Sequence, residues 1–117
     1  LTLANGAMSG NMFETFVVSE ILKSYSNAGI DYRYCVTYYR GKDKGKESEI
    51  DLIIEQDGKL YPIEIKKKEK PVAVDASAFT ILDKVKEKER GTGAVVCMCS
   101  APGALRDNLT AIPVWYI

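Results

Sequence analysis

The sequence predicts a mixed α/β domain in which a three-stranded antiparallel meander lies between two helices and is followed by two more strands. Three observations predict it. Apolar residues recur at helical spacing from Phe13 to Leu22. Two β-rich runs flank the hairpin signal Asp57-Gly58. The apolar run Ala94 to Ser100 follows an amphipathic segment, the order expected of a buried parallel strand reached by a crossover helix.

The elements follow in chain order. The first ten residues, LTLANGAMSG, are small and turn-rich and read as a lead-in. Phe13, Phe16, Val17, Ile21 and Leu22 place a helix over Asn11 to Ser26, capped by Ser9 or Asn11 and ended by Asn27-Ala28-Gly29. Tyr32 to Arg40 is dense in aromatic and β-branched residues and reads as a strand. Tyr32, Tyr34, Tyr38 and Tyr39 offer rings for base stacking, but Tyr32, Tyr34, Val36 and Tyr38 fall on one face and read better as strand packing. GKDKGKES reads as a solvated hairpin loop. Glu49 to Glu55 and Leu60 to Lys66 are the second and third strands. KKEKPVAV connects to an amphipathic helix over Asp75 to Lys88, with Phe79, Leu82 and Val85 on its apolar side. Gly91 to Gly93 breaks it before Ala94 to Ser100. Pro102-Gly103 turns the chain into a last strand, Ala111 to Ile117, with Trp115 as a core or interface anchor.

Composition narrows the chemistry. The 117 residues suit one domain, and sixteen basic residues cancel sixteen acidic ones, so no overall field draws in nucleic acid. Local basic patches remain, at Arg40 to Glu47 and Lys59 to Lys70. The absence of histidine excludes His-based triads and most zinc sites. Cys35, Cys97 and Cys99 are odd in number and read as reduced thiols of a cytoplasmic protein, with Cys97 and Cys99 buried on one side of a strand. No signal peptide is visible in these residues, nor a membrane-length apolar run or a G-x-x-x-x-G-K-[ST] loop. The start at Leu1 rather than Met suggests a piece of a longer protein.

Strand alternation sorts the acids. Glu49, Asp51, Ile53 and Glu55 are expected on one face of the second strand, with Ile50, Leu52 and Ile54 on a core face. On the third strand Glu64 and Lys66 share a face, and a hairpin lets them meet Asp51 across about 5 Å. Glu14 heads an otherwise apolar helical line, Val18, Ile21, Leu22 and Tyr25, so its carboxylate is expected to point over the sheet. Two carboxylates and a lysine are what metal-dependent phosphodiester hydrolysis needs: hard cations take carboxylate oxygens, and an ammonium orients water or steadies phosphate. The same residues also read as a surface ion-pair cluster. Glu49 and Glu55 are understudy ligands. The lysine run Lys66 to Lys70 reads as a solvated loop or a phosphate-contacting rim.

At these residues the chain resembles the PD-(D/E)XK, restriction-endonuclease-like nuclease superfamily. That superfamily's acidic strand position falls on Asp51 and its E-x-K on Glu64-Ile65-Lys66. The helix glutamate of its Holliday-junction-resolvase branch falls on Glu14. Ile50 replaces the name-giving proline. More closely, G-x-x-F-E-x-F-V-x-x-E-I-L-K, YYR, EIDLII, YPIEIK and IPVWYI are similar to the domain of unknown function at the C-terminus of bacterial and archaeal AAA-type ATPases. The resemblance spans nearly the whole chain. It implies a restriction-endonuclease-like core, with Mg2+ or Mn2+ held by Asp51, Glu64, the Ile65 carbonyl and Glu14, and with Lys66 positioning water or phosphate. It implies DNA as substrate and an ATPase module in the same full-length chain, with 1–117 as its C-terminal nuclease-like domain. No membrane partner is expected from the short apolar runs, and a homodimer is left open. A non-catalytic accessory domain that binds DNA or a protein partner is the alternative that the resemblance leaves open.

Overall fold

The first helix, α1, spans Gly10–Asn27 in the computed structural model, which describes residues 8–117. The lead-in expected over the first ten residues therefore lies outside the described residues as far as Ala7. Ser9 starts the helix: its Oγ accepts the Met12 N–H at 3.1 Å and satisfies one of the orphan donors of the first turn. Phe13, Val17 and Ile21, spaced by four, bury one stripe. At the other end the Ile30 N–H reaches back to the Tyr25 carbonyl at 2.9 Å, with Gly29 at φ +76. That exit needs a left-handed residue, which glycine supplies without strain.

The meander is β1 (Val36–Asp43), β2 (Lys46–Gln56) and β3 (Lys59–Ile65), antiparallel throughout as expected. Each turn has two consecutive left-handed residues, Lys44-Gly45 and Asp57-Gly58, the backbone that matches strand twist in a two-residue hairpin. The first corrects the expected GKDKGKES loop, because pairing continues to Asp43 opposite Lys46. Tyr32–Tyr34 is a short 3-10 turn rather than the start of a strand, since the Asp31 carboxylate takes the Arg33 N–H at 3.1 Å and bends the chain. The tyrosine packing face is corrected with it: Tyr34 is 86% exposed and Tyr38 64% exposed.

Beyond β3 come β4 (Glu89–Arg90), β5 (Gly93–Cys97), β6 (Gly103–Arg106) and β7 (Leu109–Pro113). The sheet order is β1-β2-β3-β5-β7-β6, with β5 parallel to β3 and β7 parallel to β5, and β4 pairs with the start of β3. A mixed α/β sheet is thus what the chain forms. The edge strand β6 and the short β4 are additions to the expected order. The last strand stops at Pro113 and gives way to a 3-10 turn over Val114–Tyr116, which leaves Trp115 half-exposed rather than in the core.

The crossover from β3 to β5 carries two 3-10 stretches within Ala73–Lys84, joined at a kink at Ala76, not the expected α-helix over Asp75 to Lys88. Ala76, Phe79 and Leu82 recur every three residues, and that period stacks them on one side of a helix with three residues per turn. Val85 lies past its end and is exposed. Gly93 has no side chain beneath the Phe79 ring, where a Cβ would collide with it.

The sheet is covered on both faces. Phe79, Leu82, Ile50, Ile53, Leu60, Val95, Cys97 and Cys99 form one layer. Phe13, Val17, Ile21, Leu52, Ile65, Val96 and Val114 form the other, against α1. Both C-x-C thiols are buried and free as expected, and burial pushes the Cys97 thiol up to about 11.

The β2 face assignment needs correction. Thr37 pairs with Ile53 and Tyr39 with Ile50, so Tyr38 faces two residues, Asp51 and Leu52. This is a β-bulge, and it resets the alternation. Ile50 and Ile53 consequently point to the crossover side while Leu52 points to α1. Asp51 sits at the change of phase.

Candidate functional site

The site forms where the β2–β3 ladder stops. The last paired residues are Leu52 and Ile63. One step on, the Asp51 carboxylate replaces the strand: its Oδ2 accepts the Ile65 N–H at 2.8 Å. In an extended strand a residue's N–H and C=O point to the same edge, so the Ile65 carbonyl belongs to the edge that Asp51 occupies. On the opposite edge of β3 the Lys66 N–H donates to the Val96 carbonyl at 2.9 Å, which fixes the strand end against β5.

Glu64 is 7% exposed, among the core side chains. Its Oε2 is 3.7 Å from the Lys66 Nζ, and its Oε1 is buried with no hydrogen-bond partner. Burial, and then the charge of Asp51, push the Glu64 carboxyl up to about 8 against the pull of Lys66. Glu14, on α1, is pushed up to about 7 by burial, then by its hydrogen bond to Asp51 and the charges of Asp51 and Glu49, against the pull of Arg40. In their protonated forms Glu14 and Glu64 are therefore donors to the Asp51 carboxylate. The structure brings Asp51, Glu64 and Glu14 together pairwise through Asp51, with Lys66 beside Glu64.

The donor set suits a hard divalent cation. Carboxylate oxygens and a carbonyl are its ligands, and Mg2+ keeps several waters instead of filling a closed protein cage. Among the described residues no group of three or more His, Cys, Asp or Glu side chains is placed to hold a metal ion, so two carboxylates with a carbonyl and water are the most this geometry offers one. The orphaned Glu64 Oε1, and two carboxyls raised first by burial and then by Asp51, mark acids that meet too few donors.

A cavity of about 280 Å3 opens at this point, lined by Glu14, Val18, Tyr38, Arg40, Glu49, Ile50 and Asp51. A larger one of about 700 Å3 runs along the β1–β2 hairpin and shares Arg40 and Glu49 with it. Of the two acids with raised carboxyls, Glu14 lines the smaller cavity beside Asp51, and Glu64 lies outside its lining. Neither Tyr38, read as strand packing, nor Arg40, read as part of a basic patch, was expected beside the acids. Their signal was their spacing: two residues apart on β1, they share a face opposite the acidic stretch of β2. Arg40 Nε lies 3.5 Å from Glu49, and its guanidinium carbon sits 5.9 Å from the Tyr38 ring centre.

Other candidates fall elsewhere. Glu49 lines the cavity, but Glu55 lies near the far end of β2 and is paired with Lys88. The lysine run is more structured than a solvated loop: the Met98 N–H donates to the Lys68 carbonyl at 2.8 Å, and Lys68 holds Asp75 at 2.9 Å. No helix among the described residues is long and apolar enough to cross a membrane.

Residues 9–117 match the family described as Domain of unknown function (DUF4143), and the chain belongs to that family. No curated protein matches it.

Proposed function

We propose that this DUF4143 domain is a PD-(D/E)XK-type, metal-dependent nuclease domain that hydrolyses DNA phosphodiesters. The convergence of Glu14 and Glu64 on Asp51, beside Lys66 at the end of β3, carries the reading. Asp51 and Glu64 would hold Mg2+ or Mn2+ with the Ile65 carbonyl, and Glu14 would complete the shell through water. When bound, such a cation polarises a phosphoryl oxygen and lowers the pKa of its water. The chain's residues do the rest. Asp51 is oriented by the Ile65 N–H, so its free oxygen has a fixed direction. Lys66 is half-exposed and close to Glu64, where its ammonium can orient the attacking water or steady charge on the phosphate. Glu14 and Glu64 release their protons as positive charge arrives, which makes the site pH-sensitive.

Plasmid and branched DNA, incubated with the chain in Mg2+ or Mn2+, test this directly. Cleavage is expected to need the metal, and to fall by roughly a hundredfold or more in Lys66→Ala and Asp51→Ala. Cleavage that survives both substitutions would refute the reading. DNA binding without cleavage would assign the alternative, an accessory domain of an ATPase.

A further inference from the structure

The mouth of the acidic cavity carries an aromatic–cation pair whose chemistry points to a substrate form. Tyr38 is 64% exposed although it lies on a strand directly opposite the Asp51 bulge. Arg40 addresses its ring at 5.9 Å, and both residues line the same cavity as Glu14 and Asp51. The Arg40 guanidinium is held by Glu49 in an exposed pair at 3.5 Å. Such a pair contributes little and is readily exchanged for a phosphate, which guanidinium binds in a bidentate fork.

We infer that Tyr38 and Arg40 form a base-stacking and phosphate-holding platform that selects single-stranded DNA at the site. This rests on the nuclease-fold reading of the acidic cluster and deepens it. An exposed tyrosine face is useful only to a base whose own face is free, and duplex bases are stacked on both sides. Charge favours the same conclusion. Tracking a duplex takes a broad basic stripe with many phosphate contacts. Here Lys42 faces Glu47, Lys46 faces Asp43, and Arg40 faces Glu49 across the hairpin, so acids interrupt the stripe at each step. One strong phosphate contact and one stacked base fit a short unpaired stretch entering the cavity, with its phosphate delivered towards Asp51.

Fluorescence anisotropy with a labelled oligothymidylate, and with a duplex of equal length, tests this in EDTA and again in Ca2+. The single strand is expected to bind more tightly. Tyr38→Ala should weaken its binding by roughly tenfold, and Tyr38→Phe should retain it. Arg40→Gln should lower affinity and flatten the salt dependence by about one contact, a slope change near ~0.7 for a single strand. Equal or tighter binding of the duplex, an unchanged Tyr38→Ala, or no binding of either DNA would overturn the inference. The two readings fail separately. Metal-dependent cleavage that ignores Tyr38→Ala and strandedness removes the platform and leaves the nuclease. Tyr38-dependent single-strand binding without metal-dependent cleavage keeps the platform and removes the nuclease.

Discussion

Glu64 and Asp75 are two nearly buried carboxylates, each with a lysine for a neighbour, and they are in opposite electrostatic states. Burial alone would raise Asp75. The Val72 N–H at 2.9 Å and the Lys68 ammonium at 2.9 Å reverse that and hold its carboxyl below the ordinary value. Glu64 is raised to about 8, first by burial and then by Asp51, and it has Lys66 only at 3.7 Å and one orphaned oxygen. Both acids look alike in the sequence. The difference lies in how many donors each meets. Asp75 is satisfied and fastens the start of the crossover segment. Glu64 is one of three acids sharing too few donors, an arrangement that costs stability unless something else fills the gap.

The largest effect that sharpens this contrast is pH. A carboxyl whose pKa is raised on folding binds more protons in the folded state than in the unfolded one. Stability therefore falls as pH rises, starting near the ordinary carboxyl value of 4.5 and ending above the folded values of about 7 for Glu14 and about 8 for Glu64. Chemical denaturation in EDTA should show a loss on the order of a few kcal/mol across that window. Added Mg2+ should recover much of it at the alkaline end. A flat profile there would mean that Glu14 and Glu64 are not raised in the folded chain.

A smaller pair of effects should have opposite signs. Asp75→Asn weakens the link to Lys68 and is expected to cost about 2 kcal/mol, with little change in any DNA cleavage per folded molecule. Asp51→Asn keeps an oxygen for the Ile65 N–H while removing the charge that repels Glu14 and Glu64. Without metal it should stabilise the chain by about 1 kcal/mol at alkaline pH, where both neighbours ionise. Equal destabilisation by both substitutions would erase the distinction between a fastening acid and a site acid.

Much of this was legible in the residues. Ser9, Gly29 and the spacing of Phe13, Val17 and Ile21 specify α1. Asp57-Gly58 sets the β2–β3 hairpin, and alternation puts Glu64 in phase with Lys66. The bulge was not legible, because Leu52-Ile53-Ile54 is apolar on both faces of a sheet covered on both sides. Alternation then gives no sign of a phase change, and only the pairing with β1 shows that Asp51 sits at one. The crossover was misread for a different reason: a spacing of three, as in Phe79, Leu82 and Val85, suits an α-helical face and a 3-10 turn alike, and only the folded chain shows it ending at Lys84 with Val85 exposed. Strand β6 is mostly exposed and polar at its ends, so it lacks the apolar signal by which strands are found. Arg40 and Tyr38 join the site only once the helix, β1 and the bulge are assembled.

Calorimetric titration with Mn2+ near pH 7, in buffers of differing ionisation enthalpy, tests the central claim most directly. The folded chain should bind one ion and release protons as it does so, because Glu14 and Glu64 hold protons in its absence. Asp75→Asn should keep this signal and Asp51→Asn should lose it. No binding by the unsubstituted chain, or equal binding by Asp51→Asn, would contradict the assignment of these acids to a metal site.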